Sequence, residues 1–126
     1  MSATHRRVGV FGGTFNPIHL GHLRSAEELA EDLELDEVLF IPSARPPHKP
    51  AAQLAPARHR LAMVRLAVAR NPRFRASAIE VERGGRSFSV DTLRSLQRRL
   101  GPDAALYFFL GLDAFRDLGT WRSFAD

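Results

Sequence analysis

The stretch Gly12-Gly13-Thr14-Phe15-Asn16-Pro17-Ile18-His19-Leu20-Gly21-His22 constrains this chain more than any other part of it. Before it, Val8-Gly9-Val10-Phe11 is a short apolar run that reads as a buried strand. After it, Leu23, Ala26, Leu29, Ala30 and Leu33 recur at helical spacing. A glycine turn and two histidines therefore sit where a strand hands over to a helix. Glycines there let the backbone approach a ligand closely. A helix start offers N–H groups without intrahelical partners and a partial positive charge, which suits an anion. His19 and His22 are roughly one helical turn apart, so both can face one anion. The arrangement fits the handling of a polyphosphate. A metal is the less favoured ligand, because helical zinc pairs prefer i, i+4 spacing and need a third ligand.

The rest of the chain repeats the strand-then-helix order. Strands are expected over Val8–Phe11, Val38–Ile41, Phe74–Val81 and Leu106–Leu110, and helices over Leu23–Leu33, Arg58–Ala69 and Val90–Leu100. This alternation predicts a single α/β domain over residues 1–126, with a mostly parallel sheet. Asn71-Pro72 ends the second helix, Ser89 and Asp91 begin the third, and Gly101-Pro102-Asp103 closes it. Leu106-Tyr107-Phe108-Phe109-Leu110 is apolar throughout, as a strand buried on both faces would be. Few residues follow it, so this strand is expected at or near a sheet edge. Self-association through that incomplete edge is the expected liability.

Composition supports a globular domain: 126 residues, 44% of them hydrophobic. There is no cysteine, which excludes disulfides, thiolate metal sites and cysteine nucleophiles. Arg6 and Arg7 precede only a four-residue apolar run, too short for a signal-peptide core, and the longest uncharged apolar stretch, Ala104–Leu112, is far short of a membrane span, so a soluble cytoplasmic protein with no membrane partner is expected. The net charge is +4, and its distribution is uneven. No Asp or Glu occurs between Val38 and Ile79, a segment that holds Arg45, Lys49, Arg58, Arg60, Arg65, Arg70, Arg73 and Arg75. A one-sign segment suggests an anionic partner. For Arg60, Arg65 and Arg70 a solvated helix face is the equal alternative. Nucleic acid is not expected, because no aromatics interleave with these arginines. Lys49 is the only lysine in an arginine-biased chain.

Further candidates fall in the loops at the carboxyl ends of the expected strands, where open α/β sheets bind ligands. Pro46-Pro47-His48-Lys49 lies in the proline-rich loop after the second strand, and Lys49 there can reach a triphosphate. Arg86-Ser87-Phe88-Ser89-Val90-Asp91-Thr92-Leu93 leads into the third helix, where Ser89 and Asp91 also serve as ordinary caps. Gly111-Leu112-Asp113 leaves the fourth strand; Asp113 either binds a ribose hydroxyl or caps a helix. Trp121 either stacks on a flat ring or packs internally.

Together these motifs resemble the nucleotidyltransferase superfamily with the H-x-G-H signature, whose folds are Rossmann-like. Within it the chain is most similar to bacterial nicotinate-nucleotide adenylyltransferases. The resemblance runs from Val8 to Phe124 and rests on residues 12–22, 41–49, 86–93 and 110–121. It implies a doubly wound parallel sheet and transfer of the adenylyl group of ATP to nicotinate mononucleotide, yielding deamido-NAD and pyrophosphate. By that resemblance His19, His22 and Lys49 are catalytic. Gly12, Gly13, Thr14, Phe15, His19, His22, Gly111 and Asp113 bind ATP. Asn16, Lys49, Phe88, Ser89 and Trp121 bind nicotinate mononucleotide, with the tryptophan stacking. Asn16 stands where Asp is common in the family.

The resemblance also implies Mg²⁺ carried by ATP and water rather than by a protein cage. The family's serine/threonine-rich C-terminal motif, ending in arginine, has no match here. The expectation is therefore a C-terminally incomplete fold with an incomplete ATP site. Another H-x-G-H enzyme, a pantetheine-phosphate adenylyltransferase or a cytidylyltransferase, is the nearest rival, and Trp121 with residues 86–93 argues against it. A non-catalytic nucleotide-binding fragment is the alternative of a different class.

Overall fold

The computed structural model describes residues 6–15, 18–44, 55–83 and 90–110, without the side chains of residues 83, 90 and 110. The chain runs β1 (Arg6–Gly13), α1 (Leu20–Asp32), β2 (Glu37–Pro42), α2 (Ala57–Val68), β3 (Phe74–Ala76), α3 (Ile79–Arg83), α4 (Val90–Leu100) and β4 (Ala104–Leu110). The strands form one parallel sheet in the order β3-β2-β1-β4. The order reverses at β1, and the register sets Gly12 beside both Ile41 and Leu110, with Gly13 beside Pro42. The glycine turn thus leaves the sheet at the carboxyl end of β1, beside the point between β1 and β4 where the strand order reverses and where open α/β sheets bind ligands.

Side-chain alternation along β1 and β2 feeds two cores. Phe11, Val38 and Phe40 point to one face and pack with Ala26 and Ala30 of α1, Val64 and Val68 of α2, and Phe74. Val8, Val10, Leu39 and Ile41 point to the other and pack with Ile79 of α3 and Leu96 of α4. Helices therefore cover both faces, the doubly wound arrangement expected from the sequence. Gly9 falls where β1 is approached closely: a Cβ there would lie 2.7 Å from Leu35 Cδ1 and 3.0 Å from Phe109 Cζ. Among the described residues β4 is an edge strand, and Leu106, Tyr107, Phe108 and Phe109 are half-buried rather than sealed on both faces.

One element departs from expectation. The strand expected over Phe74–Val81 stops at Ala76, and Ile79–Arg83 is helical. The Ser77 N–H makes a last bond to the Phe40 carbonyl at 2.9 Å, and the Ser77 hydroxyl then accepts from the Ile79 N–H at 3.3 Å. That cap starts α3, which buries Ile79 and Glu80. The Thr92 hydroxyl of α4 donates to the Glu80 carboxylate and ties the two helices together.

No helix among the described residues is long and apolar enough to cross a membrane.

Candidate active site

Helix α1 begins three residues before the expected start because His19 caps it. His19 has extended backbone, φ −139° and ψ 176°, and its Nδ1 accepts the Gly21 N–H at 3.1 Å. His22 returns the arrangement: its Nδ1 accepts the His19 N–H at 3.0 Å. Two imidazoles thus form a reciprocal cap in the manner of a capping box. The rings stack with centroids 3.8 Å apart and planes at 29°. His19 is exposed, whereas His22 is buried beneath it.

These bonds fix the chemistry. An Nδ1 that accepts an amide N–H carries no proton, so the neutral ring holds its proton on Nε2. Both histidines are therefore set as Nε2–H donors. His22 is held edge-on by Phe15, with centroids 5.0 Å apart, and by Phe11 at 6.3 Å. Its orientation is thus set by packing as well as by hydrogen bonding.

Phe15 explains the shape of the turn. It is buried and takes a left-handed conformation, φ 51°, which a non-glycine residue adopts at some strain. Its ring lies under Gly13, where a Cβ would sit 3.2 Å from Phe15 Cζ. The ring belongs to the core, so a ligand at the turn would meet only the Phe15 backbone. Gly12, Gly13, Thr14, Phe15, His19 and His22 are thus brought into one turn and helix start. Asn16, Lys49, Phe88, Ser89, Gly111, Asp113 and Trp121 lie outside the described residues.

Arg60 corrects the sequence reading. It is neither a solvated residue nor a surface anion receptor but is buried, at 1% exposure. Nε donates to the Ala55 carbonyl at 2.9 Å, Nη1 to Thr14 and Ser43 at 2.9 and 2.7 Å, and Nη2 to Ala44 at 3.1 Å. Burial pushes its pKa below the ordinary arginine value, because the charge loses solvation. The missed signal was positional: Arg60, Val64 and Val68 recur at i, i+4, i+8 on the buried stripe of α2. Arg65 and Arg70 are exposed, as a solvated face requires. Ser43 is a second residue that the sequence did not single out. Its N–H donates to the Gly13 carbonyl at 2.9 Å, and its buried hydroxyl has no partner among the described residues.

A parallel sheet wound on both faces, with a glycine turn and a helix start at the carboxyl end of its first strand, defines a Rossmann-like α/β domain. Residues 10–126 match the cytidylyltransferase-like family, and the chain belongs to it. Among curated relatives, a probable nicotinate-nucleotide adenylyltransferase of Citrifermentans bemidjiense is 55% identical over 94% of this chain and 54% of its own length. A protein of the same description from Thermus thermophilus is 53% identical over 92% of this chain and 61% of its own. The chain spans about half the length of the curated relatives it matches. In fold it is similar to the Plasmodium falciparum nicotinic acid mononucleotide adenylyltransferase solved with NaAD. That similarity has a TM-score of 0.70 at 20% identity and covers 94% of this chain and 58% of the other.

Proposed function

We propose that this chain carries the nucleotide-handling part of a nicotinate-nucleotide adenylyltransferase. The reaction is ATP plus nicotinate mononucleotide giving deamido-NAD and pyrophosphate. The observation that carries the reading is the stacked His19–His22 pair at the helix start, whose Nδ1 atoms accept backbone amides and whose exposed member, His19, turns its Nε2–H side to the turn's ligand. The names of relatives sharing about half of its residues supply the choice of substrates.

An acceptor phosphate oxygen attacks the α-phosphorus in line. The new O–P bond forms as the bond to the bridging oxygen breaks, and pyrophosphate leaves with the electron pair. Such transfer needs positioning and stabilisation of spreading negative charge rather than a covalent intermediate. The exposed His19 imidazole, set in place by His22, and the N–H groups of the turn do this for phosphate oxygens. By the family resemblance, Lys49 is assigned a positive charge for the phosphates. By the same resemblance, Gly111 and Asp113 are assigned to ATP, and Asn16, Phe88, Ser89 and Trp121 to nicotinate mononucleotide.

The described groups at the turn are imidazoles and N–H donors, which suit phosphate oxygens. Mg²⁺ takes oxygen ligands and keeps several waters. It therefore enters this reading as part of the ATP substrate, and no step is assigned to it.

The test is a pyrophosphate-release assay with ATP and nicotinate mononucleotide, run beside nicotinamide mononucleotide, pantetheine phosphate and CTP-dependent acceptors. Release that depends on nicotinate mononucleotide supports the proposal. Release with one of the other pairs alone overturns the choice of substrates, and release with none overturns the catalytic reading for this chain.

A further inference from the structure

Arg60 is the largest fully buried side chain among the described residues, and no described carboxylate pairs with it. Burying a charge is costly unless its hydrogen bonds are met, and an apolar side chain of similar volume often does as well or better for stability. Among the described residues its partners are backbone carbonyls. They come from three separate stretches: Thr14 after β1, Ser43 and Ala44 after β2, and Ala55 before α2. A planar fork with five donors makes these four bonds across three segments at once, whereas an ammonium has three donors on a single nitrogen and cannot make all four.

The direction of these bonds matters. In a trans peptide the C=O and the following N–H point to opposite sides. Drawing the Thr14 and Ser43 carbonyls onto the guanidinium therefore turns the Phe15 and Ala44 N–H groups away from it. The Ser43 N–H bond to the Gly13 carbonyl, at 2.9 Å, fastens the two strand ends to each other. A buried positive charge beneath the turn also raises the local potential for an anion.

We infer that Arg60 is a positioning residue for the polyphosphate site: it fixes the peptide planes after Thr14 and Ser43 so that the Phe15 and Ala44 N–H groups stand as preformed anion donors. This rests on the nucleotidyl-transfer reading only in taking a polyphosphate as the ligand. Arg60 itself touches no ligand; it acts through the backbone that it holds.

The probe is inorganic tripolyphosphate, titrated into the whole chain and followed by calorimetry and amide NMR. In the unsubstituted protein the Phe15 and Ala44 amide protons shift on saturation. Arg60→Lys keeps the charge but cannot make all four bonds, and its affinity falls by about tenfold or more, the scale of loss when preorganised donors are misplaced. Arg65→Lys, an exposed change on the same helix, binds as the unsubstituted chain does. A purely structural role would lower the melting temperature of Arg60→Lys while leaving the affinity of the folded protein unchanged, and that result overturns the inference. So do Phe15 and Ala44 amides that stay in place at saturation, which decides the matter even if Arg60→Lys fails to fold. A chain that binds no tripolyphosphate overturns it as well. Tight tripolyphosphate binding that depends on Arg60, with no adenylyl transfer, sinks the activity reading alone.

Discussion

The His19 amide donates to Nδ1 of His22 at 3.0 Å while the two rings lie stacked 3.8 Å apart. The same pair therefore starts the helix and presents the donor, and the two duties can be separated by substitution.

His19→Ala removes both. Loss of the capping acceptor costs about 1 kcal/mol of stability, and loss of a preorganised donor lowers adenylyl transfer by about 10²–10³-fold. His19→Asn supplies a capping oxygen but no imidazole, so its thermal melt returns toward the unsubstituted value while the rate stays low. Recovery of both in the Asn variant would show that the imidazole has no part in the chemistry.

Gly9→Ala places a methyl 2.7 Å from Leu35 Cδ1 and 3.0 Å from Phe109 Cζ. Both neighbours are packed, so the expected loss is about 1–3 kcal/mol, the usual cost of overfilling a core. Urea denaturation measures it. An unchanged midpoint would mean that Leu35 swings aside freely.

Thr92→Val keeps the volume and deletes the hydroxyl that donates to the Glu80 carboxylate between α3 and α4. Leaving a buried partner unsatisfied costs about 1–3 kcal/mol, and equilibrium unfolding should show a loss of that size. A loss under about 0.5 kcal/mol, the range of ordinary surface changes, would place the holding of Glu80 elsewhere.

Ser43→Ala should behave in the opposite way. The hydroxyl is buried without a partner among the described residues, so its removal relieves a desolvated group. A gain in stability of up to about 1 kcal/mol is expected. A clear loss in the melt would reveal an acceptor or donor beyond the described residues.

The sheet and the turn were legible because each carries a local pattern. An apolar run, glycines and a helical repeat announce β1, the turn and α1 without reference to distant residues. The end of β3 was not legible in the same way. Ile79 and Val81 are β-branched and continue the apolar run, but the Ile79 N–H bond to the Ser77 hydroxyl and the Glu82 N–H bond to the Ala78 carbonyl make the segment helical. The reciprocal histidine cap was half visible. Spacing placed the rings on one face, but the bonds that fix their tautomers depend on backbone geometry at His19. Arg60 was misread because its class argued for the surface, whereas its position on the α2 stripe argued for the core. Its partners are carbonyls of Thr14, Ser43, Ala44 and Ala55, and a carbonyl has no letter in a sequence.

The pairing of β1 with β4 sets Arg6 beside Ala104. The first described strand therefore waits for the last described strand before its second flank is hydrogen-bonded. At about 5–20 residues per second, that delay lasts seconds, far longer than the microseconds in which a local helix or hairpin forms. Through that interval β1–α1–β2 can close on one side only, and the ribosome-bound chain carries Val8, Val10 and Phe11 along an open strand. The histidine turn is thus assembled early, on a sheet still unfinished.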